Sequence, residues 1–452
     1  MRDLGAMKSA TRIALLAAAL ALSLSACSQA KEPAAAAPPA WPPKPSAEFL
    51  ALDRKGQNLA VYDAFWQQID SNYYDASVFA TDEWKARRAQ WREEAGKASS
   101  GFLLYHKVFP GLLELMPESH VDVHPPDAAN STDPKPSQPA MDEKTARQMA
   151  TLWLYGPGFD KYDVMRGHAH VPLVGDVRPG SPAAEAGIPP GARLLHADSS
   201  WDVERKAIHF VVDYVPLDAA AARAWERGEG TDQPAAPDSI RHAKFDLRAY
   251  PWRKEIETRK LDGGVLYLRF PGFGDDTYMT PVYQAIDDAK PAGIIIDLRW
   301  NGGGMMVQLQ KFAGALLGEG KFLADTKNRS ESAAMVATAY PKPYAGPIVV
   351  LIGPGSGSAS EIFAAAVQDQ KRGKLIGRLS AGGVLQAFQF PLPDAGFVSL
   401  PVSNVWRAGG KRIEGVGVEP DTWILPTLED VRAGRDPVLE QALRELAPPK
   451  SS

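Results

Sequence analysis

Two glycine-rich stretches hold the residues best suited to chemistry. The first, Gly353-Pro354-Gly355-Ser356-Gly357-Ser358-Ala359-Ser360-Glu361, follows the apolar run Ile348-Val349-Val350-Leu351 and leads into helix-forming text as far as Gln370. Glycine lets a backbone turn sharply and approach a ligand closely. A serine at the start of a helix stands beside unpaired N–H groups and the positive end of the helix dipole. Ser358, with the Ala359 N–H beside it, is therefore a candidate nucleophile with an oxyanion donor. Ser358 to Glu361 also reads S-x-x-E, a capping box, and on the local text alone the cap is the stronger reading. No G-x-S-x-G surrounds Ser358, so an α/β-hydrolase nucleophile elbow is not expected.

The second stretch, Asp297-Leu298-Arg299-Trp300-Asn301-Gly302-Gly303-Gly304, also ends an apolar run and opens a helix. It has neither the lysine of a P-loop nor the Rossmann spacing. Read alone it is an ordinary tight turn. Two such turns after adjacent parallel strands would converge at one edge of a sheet, where sites usually form.

A base for Ser358 must come from elsewhere. The eight histidines are His106, His120, His124, His168, His170, His196, His209 and His242, all upstream of residue 259. His120 and His124 share a helical spacing, but Pro125 and Pro126 follow at once and no acidic third ligand stands in a recognisable pattern. No metal or organic cofactor is expected. Lys371 and Lys374 flank the end of the Ser358 helix and read as C-terminal, water-facing cations.

These residues need a scaffold. The chain has 452 residues, enough for about three domains. With 45% apolar and 23% charged residues it can bury large cores. Fifty basic against 54 acidic residues, a net charge of −4, argue against a nucleic-acid partner. A single Cys excludes a disulfide framework. Arg2, Lys8 and Arg12 precede the short apolar run Ile13 to Leu24, which has the form of an export signal (1–26) and ends in Leu24-Ser25-Ala26-Cys27. That ending resembles a bacterial lipobox, which implies lipidation at Cys27. With Ser28 next, it implies an outer-membrane lipoprotein facing the periplasm, held to the membrane by the anchor alone. An Ala/Pro tether (27–45) follows.

Residues 46–125 read as helices, with Leu59, Tyr62, Phe65, Trp66, Ile69 and Tyr73 three and four apart. A polar, Pro-rich linker spans 126–150. Residues 151–258 read as a β-rich module. In it, Val174–Val177, Ser181–Gly187 and Arg193–Leu195 form strand, short helix with a Gly cap, and strand. The text from Arg178 to Leu195 resembles a PDZ domain of the bacterial protease type, which implies a carboxylate-binding loop at Gly158 and Phe159. Pro157 removes one N–H donor from that loop. Residues 259–428 alternate apolar runs with helical segments, the pattern of an α/β core with buried parallel strands. A C-terminal helix and tail occupy 429–452.

Asp297–Gly304 and Val349–Asp369 together are similar to the C-terminal processing proteases and the tricorn core protease. The resemblance implies a crotonase-like α/β fold, polypeptide substrates, Ser358 as nucleophile, and an oxyanion hole from Gly304 and Ala359 with Gly303 adjacent. The processing branch carries its base, a Lys, 25 residues after the serine; here that position is Gly383. Ser119-His120 and Glu414, the latter in Ile413-Glu414-Gly415-Val416-Gly417-Val418, instead resemble the tricorn-type Ser-His-Ser-Glu set. This implies a His base, with activity rising through near-neutral pH. The rival reading is a catalytically silent, lipid-tethered peptide-binding scaffold.

Overall fold

The computed structural model describes residues 42–113, 115–116, 120–127, 159–166, 169–202, 207–230, 233–247 and 256–447. Cys27, Ser119 and Gly158 lie outside the described residues.

The N-terminal layer is helical. Helix α1 (Arg54–Asn72) opens on the N-cap Asp53, whose carboxylate accepts from the Gly56 N–H at 2.7 Å. Helix α2 (Asp82–Lys97) opens on Thr81. The predicted stripe is real: Tyr62, Phe65, Trp66, Ile69 and Tyr73 are buried, packed on Phe79, Trp84 and Phe109. A short strand β1 (Asp122–His124) then runs antiparallel to residues 397–399, joining this layer to the C-terminal half.

The middle segment is a five-stranded antiparallel sheet in sequential order: β2 (Phe159–Arg166), β3 (Ala169–Val177), β4 (Arg193–Asp202), β5 (Ala207–Val215) and β6 (Arg241–Leu247). Helix α3 (Pro182–Ala186) follows β3. Ser181 caps its start, and Gly187 ends it at φ +87°, a left-handed conformation that suits glycine. Helix α4 (Ala219–Glu226) lies between β5 and β6. Phe159 is buried in the core against Phe210, so only its backbone is available to a ligand.

The C-terminal half contains the α/β core. Its elements are β7 (Glu257–Leu261), β8 (Val265–Arg269), α5 (Asp276–Ala289), β9 (Gly293–Asp297), α6 (Met306–Leu317), β10 (Phe322–Lys327), β11 (Ser332–Val336), β12 (Ile348–Ile352), α7 (Ala359–Asp369), β13 (Gly373–Gly377), β14 (Gln386–Pro391), β15 (Phe397–Arg407), β16 (Lys411–Arg412), β17 (Thr422–Trp423) and α8 (Pro437–Leu446). One sheet runs β17-β13-β12-β9-β8-β7, parallel except for β7. Strands β9 and β12 are buried at every position because both faces are covered. Ile294, Ile296, Val350 and Ile352 pack with Phe312 of α6 and Phe363 of α7, while Ile295, Val349 and Leu351 pack with Val438 and Ala442 of α8.

A second sheet, β1-β15-β10-β11 with β14 and β16 also on β15, connects the layers. Val398 and Leu400 of β15 belong to the helical layer's core and Val405 to the α/β core. No helix among the described residues is long and apolar enough to cross a membrane.

Candidate active site

The parallel sheet delivers both glycine turns to one place. β9 ends at Asp297 and β12, its hydrogen-bonded neighbour, ends at Ile352. The turns after them then touch. The Gly357 N–H donates to the Asn301 carbonyl at 3.0 Å, and Ser356 Oγ donates to the Leu298 carbonyl at 2.7 Å. A Cβ placed on Gly303 (φ +99°) would lie 2.6 Å from the Ser358 Cβ and 3.0 Å from the Ala359 nitrogen. Only glycine fits there.

Ser358 stands at the start of α7 with φ +52° and ψ −119°, a region that residues with side chains seldom occupy. Such strain persists only where the surroundings impose it, and it clusters at functional sites. The Ser358 N–H donates to the Gly383 carbonyl at 2.7 Å and to Glu361 Oε2 at 3.1 Å. The second bond is the reciprocal half of the expected capping box. The Glu361 N–H donates to the Ser358 carbonyl at 2.9 Å and faces the Ser358 side chain, which completes the box.

Among the described residues, the N–H groups of Ala359 and Gly304 donate to no protein acceptor. The Gly303 N–H is already taken by Asn301 Oδ1 at 2.9 Å, so Gly303 supplies room and not a donor. Asn301, fully buried, also accepts from Ser360 Oγ at 2.7 Å and donates to the Phe270 carbonyl at 3.0 Å. It ties the two glycine turns together.

Beneath Ser358 lies a buried carboxylate that sequence reading treated only as a cap. Glu361, at 0% exposure, accepts from Ser380 Oγ (2.5 Å), Gly382 N (2.7 Å), Gly383 N (2.9 Å) and Ser358 N (3.1 Å). Burial pushes its pKa up to about 7; these hydrogen bonds oppose the rise and nearby Glu414 adds to it. Glu414 is buried as well, and its Oε2 accepts from the Val384 N–H at 2.7 Å. The structure thus brings Ser358, Ala359, Gly303, Gly304 and Glu414 to one neighbourhood around the 380–384 turn. The signal that could have exposed Glu361 was the glycine pair Gly382-Gly383, whose backbone amides a carboxylate can hold.

His120 sits just before β1 in a left-handed conformation (φ +69°). Burial lowers its pKa to about 4, which favours the neutral imidazole. This differs from the near-neutral value expected of an unperturbed histidine. His124 stacks on Phe397 at 4.3 Å and pairs with Asp122 at 3.0 Å, a structural placement. Lys371 is exposed and Lys374 pairs with Glu445 at 2.7 Å near the surface, as the sequence suggested. Among the described residues no group of three side chains is arranged to hold a metal ion.

Residues 264–424 match the model of Peptidase family S41. The chain is 29% identical to the carboxy-terminal-processing protease of Bartonella bacilliformis, over 58% of this chain and 60% of that protein. It is 28% identical to the carboxyl-terminal-processing protease of Synechocystis, over 54% and 56% of the two chains. It is 27% identical to tricorn protease homolog 1 of Streptomyces coelicolor, over 56% of this chain and 24% of that one. Among solved structures, the photosystem II D1 C-terminal processing protease is similar over 83% of this chain and 96% of its own, at 19% identity and a TM-score of 0.51. The class defined by the matched segment is that of a serine-type peptidase. Each match to the two processing proteases spans less than two thirds of the relative's length.

Proposed function

We propose that the protein is a serine endopeptidase of the bacterial cell envelope that cleaves extended or unfolded polypeptides. The observation that carries this reading is the strained Ser358, held beside the undonated N–H groups of Ala359 and Gly304. Ser358 Oγ attacks the scissile carbonyl carbon. His120, half-buried and held neutral by its lowered pKa, takes the hydroxyl proton and returns it to the leaving amine. Ser119 and Glu414 orient the imidazole. The oxyanion is bound by Gly304 and Ala359, with about 3 kcal/mol as a usual loss per missing donor.

A His base rather than a Lys base is supported by Gly383, whose backbone is built into the Ser358 turn. The β2–β6 sheet is read as a PDZ-like module that takes a peptide carboxylate at the loop containing Gly158 and the Phe159 backbone. Cys27 is read as the lipid-bearing residue of an outer-membrane lipoprotein. A fluorophosphonate probe should label the parent chain and not Ser358→Ala. Absence of labelling and of cleavage of unfolded polypeptides in the parent would leave a silent scaffold as the answer.

A further inference from the structure

On the carboxyl ends of β8 and β9, away from Ser358, lies a cavity of about 480 Å³. That volume suits a small organic ligand, and crevices outside the carboxyl ends of strands are where open α/β sheets bind ligands. Its wall combines Arg269, Glu257, Arg299 and Trp300 of the core with Arg178 of the antiparallel module and Arg435 near the C-terminus. Most of these charges are matched. Arg299 is held by Asp297 and Asp436 at 2.6 and 2.7 Å. Arg435 is paired with Asp430. Arg259, also in the wall, takes Glu257 Oε1 at 2.8 Å. Asp176 is nearest to Arg378, at 3.8 Å.

Arg269 is the exception. Its contact is the far oxygen of the same Glu257, at 3.8 Å, outside hydrogen-bond distance. Its side chain is only 23% exposed. A largely buried guanidinium thus faces the cavity with its planar fork of donors uncommitted among the described residues, a geometry that matches a carboxylate bidentately. Apolar side chains share the wall with these charges. The Arg178 guanidinium lies 4.0 Å from the centre of the Trp300 ring, and Pro179 and Leu439 line the same space.

We infer that this cavity is a binding site for a carboxylate carried on a small apolar body, with Arg269 gripping the carboxylate. The source is either a free organic acid or the terminal carboxylate of a short peptide. The site stands apart from Ser358 and does not depend on peptidase activity.

Calorimetric titration of the full chain carrying Ser358→Ala tests it. The probes are phenylbutyrate, and acetyl-Ala-Ala-Leu with a free carboxylate or as its amide. We expect at least one carboxylate probe to bind and the amide not to bind. Arg269→Gln should weaken binding about tenfold, with Arg269→Lys in between because it keeps charge without the fork. Glu257→Gln should tighten binding, since it removes the acid that competes for Arg269; damage to the fold would not do this. Phenylbutyrate binding points to free acids, and binding of the peptide acid alone to peptide termini. No heat from either carboxylate, equal binding of the amide, equal affinity in Arg269→Gln, or weaker binding in Glu257→Gln would overturn the inference.

Discussion

Among the described residues three glutamates are almost completely buried, and the surroundings of two of them, Glu226 and Glu361, are opposite. Glu226, at the end of α4, meets a cation: Arg378 Nε donates to it at 2.5 Å, and Trp423 Nε1 donates at 3.0 Å. Arg378 also donates to the Gly175 carbonyl at 3.0 Å, so one guanidinium pins the antiparallel module to the strand that precedes the 380–384 turn. Among the described residues Glu361 meets no cation at hydrogen-bond distance. Its donors are three backbone N–H groups and one hydroxyl. The first arrangement fixes a joint between layers. The second shapes the turn at Ser358 and leaves its carboxyl able to change protonation near neutrality. Burial alone does not say which role a carboxylate has; the identity of its donors does.

The largest effect should come from the chemistry that the second region supports. Ser358→Ala and His120→Ala should each lower kcat on the order of 10⁴-fold or more, and the double variant little further, because the groups act as a unit. The acid limb of the parent's kcat/KM profile should fall near pH 4, where half-buried His120 gains its proton, and not near 6.5. A limb at 6.5 would place His120 in water or make another group the base.

Next, Arg378→Met leaves Glu226 buried without its cation, a change that typically costs about 3–5 kcal/mol. Urea unfolding should register that loss, and adding Glu226→Gln should restore much of it. Strict additivity of the two would mean that the joint does not act as a pair.

The third effect separates the two carboxylates by pH. The Glu361 carboxyl is raised from 4.5 to about 7 in the folded state, so between these values the folded chain holds more protons than the unfolded chain. The favourable contribution is full below pH 4.5 and is lost as pH rises through 7, on the order of 3 kcal/mol in all. Glu361→Gln should flatten this slope between pH 5 and 7.5 when stability is measured by denaturant. It should also slow turnover, because an amide presents two N–H donors of its own to a ring of donors. A slope unchanged by Glu361→Gln would assign the titration elsewhere. Smallest of all, Lys374→Ala should change stability by less than about 0.5 kcal/mol and leave activity intact, since its pair with Glu445 is exposed.

Much of the fold was legible because its core strands cannot be mistaken. Runs such as Ile294-Ile295-Ile296 are apolar at every position only where both faces are covered, and the helix that follows Ser358 ends at Asp369, one residue before the expected Gln370. The second sheet was not legible. In β15, Pro401 and the polar Ser399, Ser403 and Asn404 break any clean alternation, because different parts of the strand pack on different cores. At the site, Ser358 was findable from its turn, but its strain was not. The room for it comes from Gly303, 55 positions upstream and brought close only by strand pairing. Glu361 was hidden for the same reason: three of its four donors lie 19 to 22 residues away.

The Ser380 hydroxyl has a consequence for timing. It donates to Glu361 and accepts from the Val418 N–H at 2.6 Å, while the Gly415 N–H holds the Gly382 carbonyl at 2.7 Å. The turn that poses Ser358 is therefore braced by chain synthesised some 60 residues later. A growing chain therefore carries Ser358 for some 56 residues before residues 414–418 arrive to complete its support. Until then the turn lacks these braces, and a chain broken off short of residue 414 never gains them.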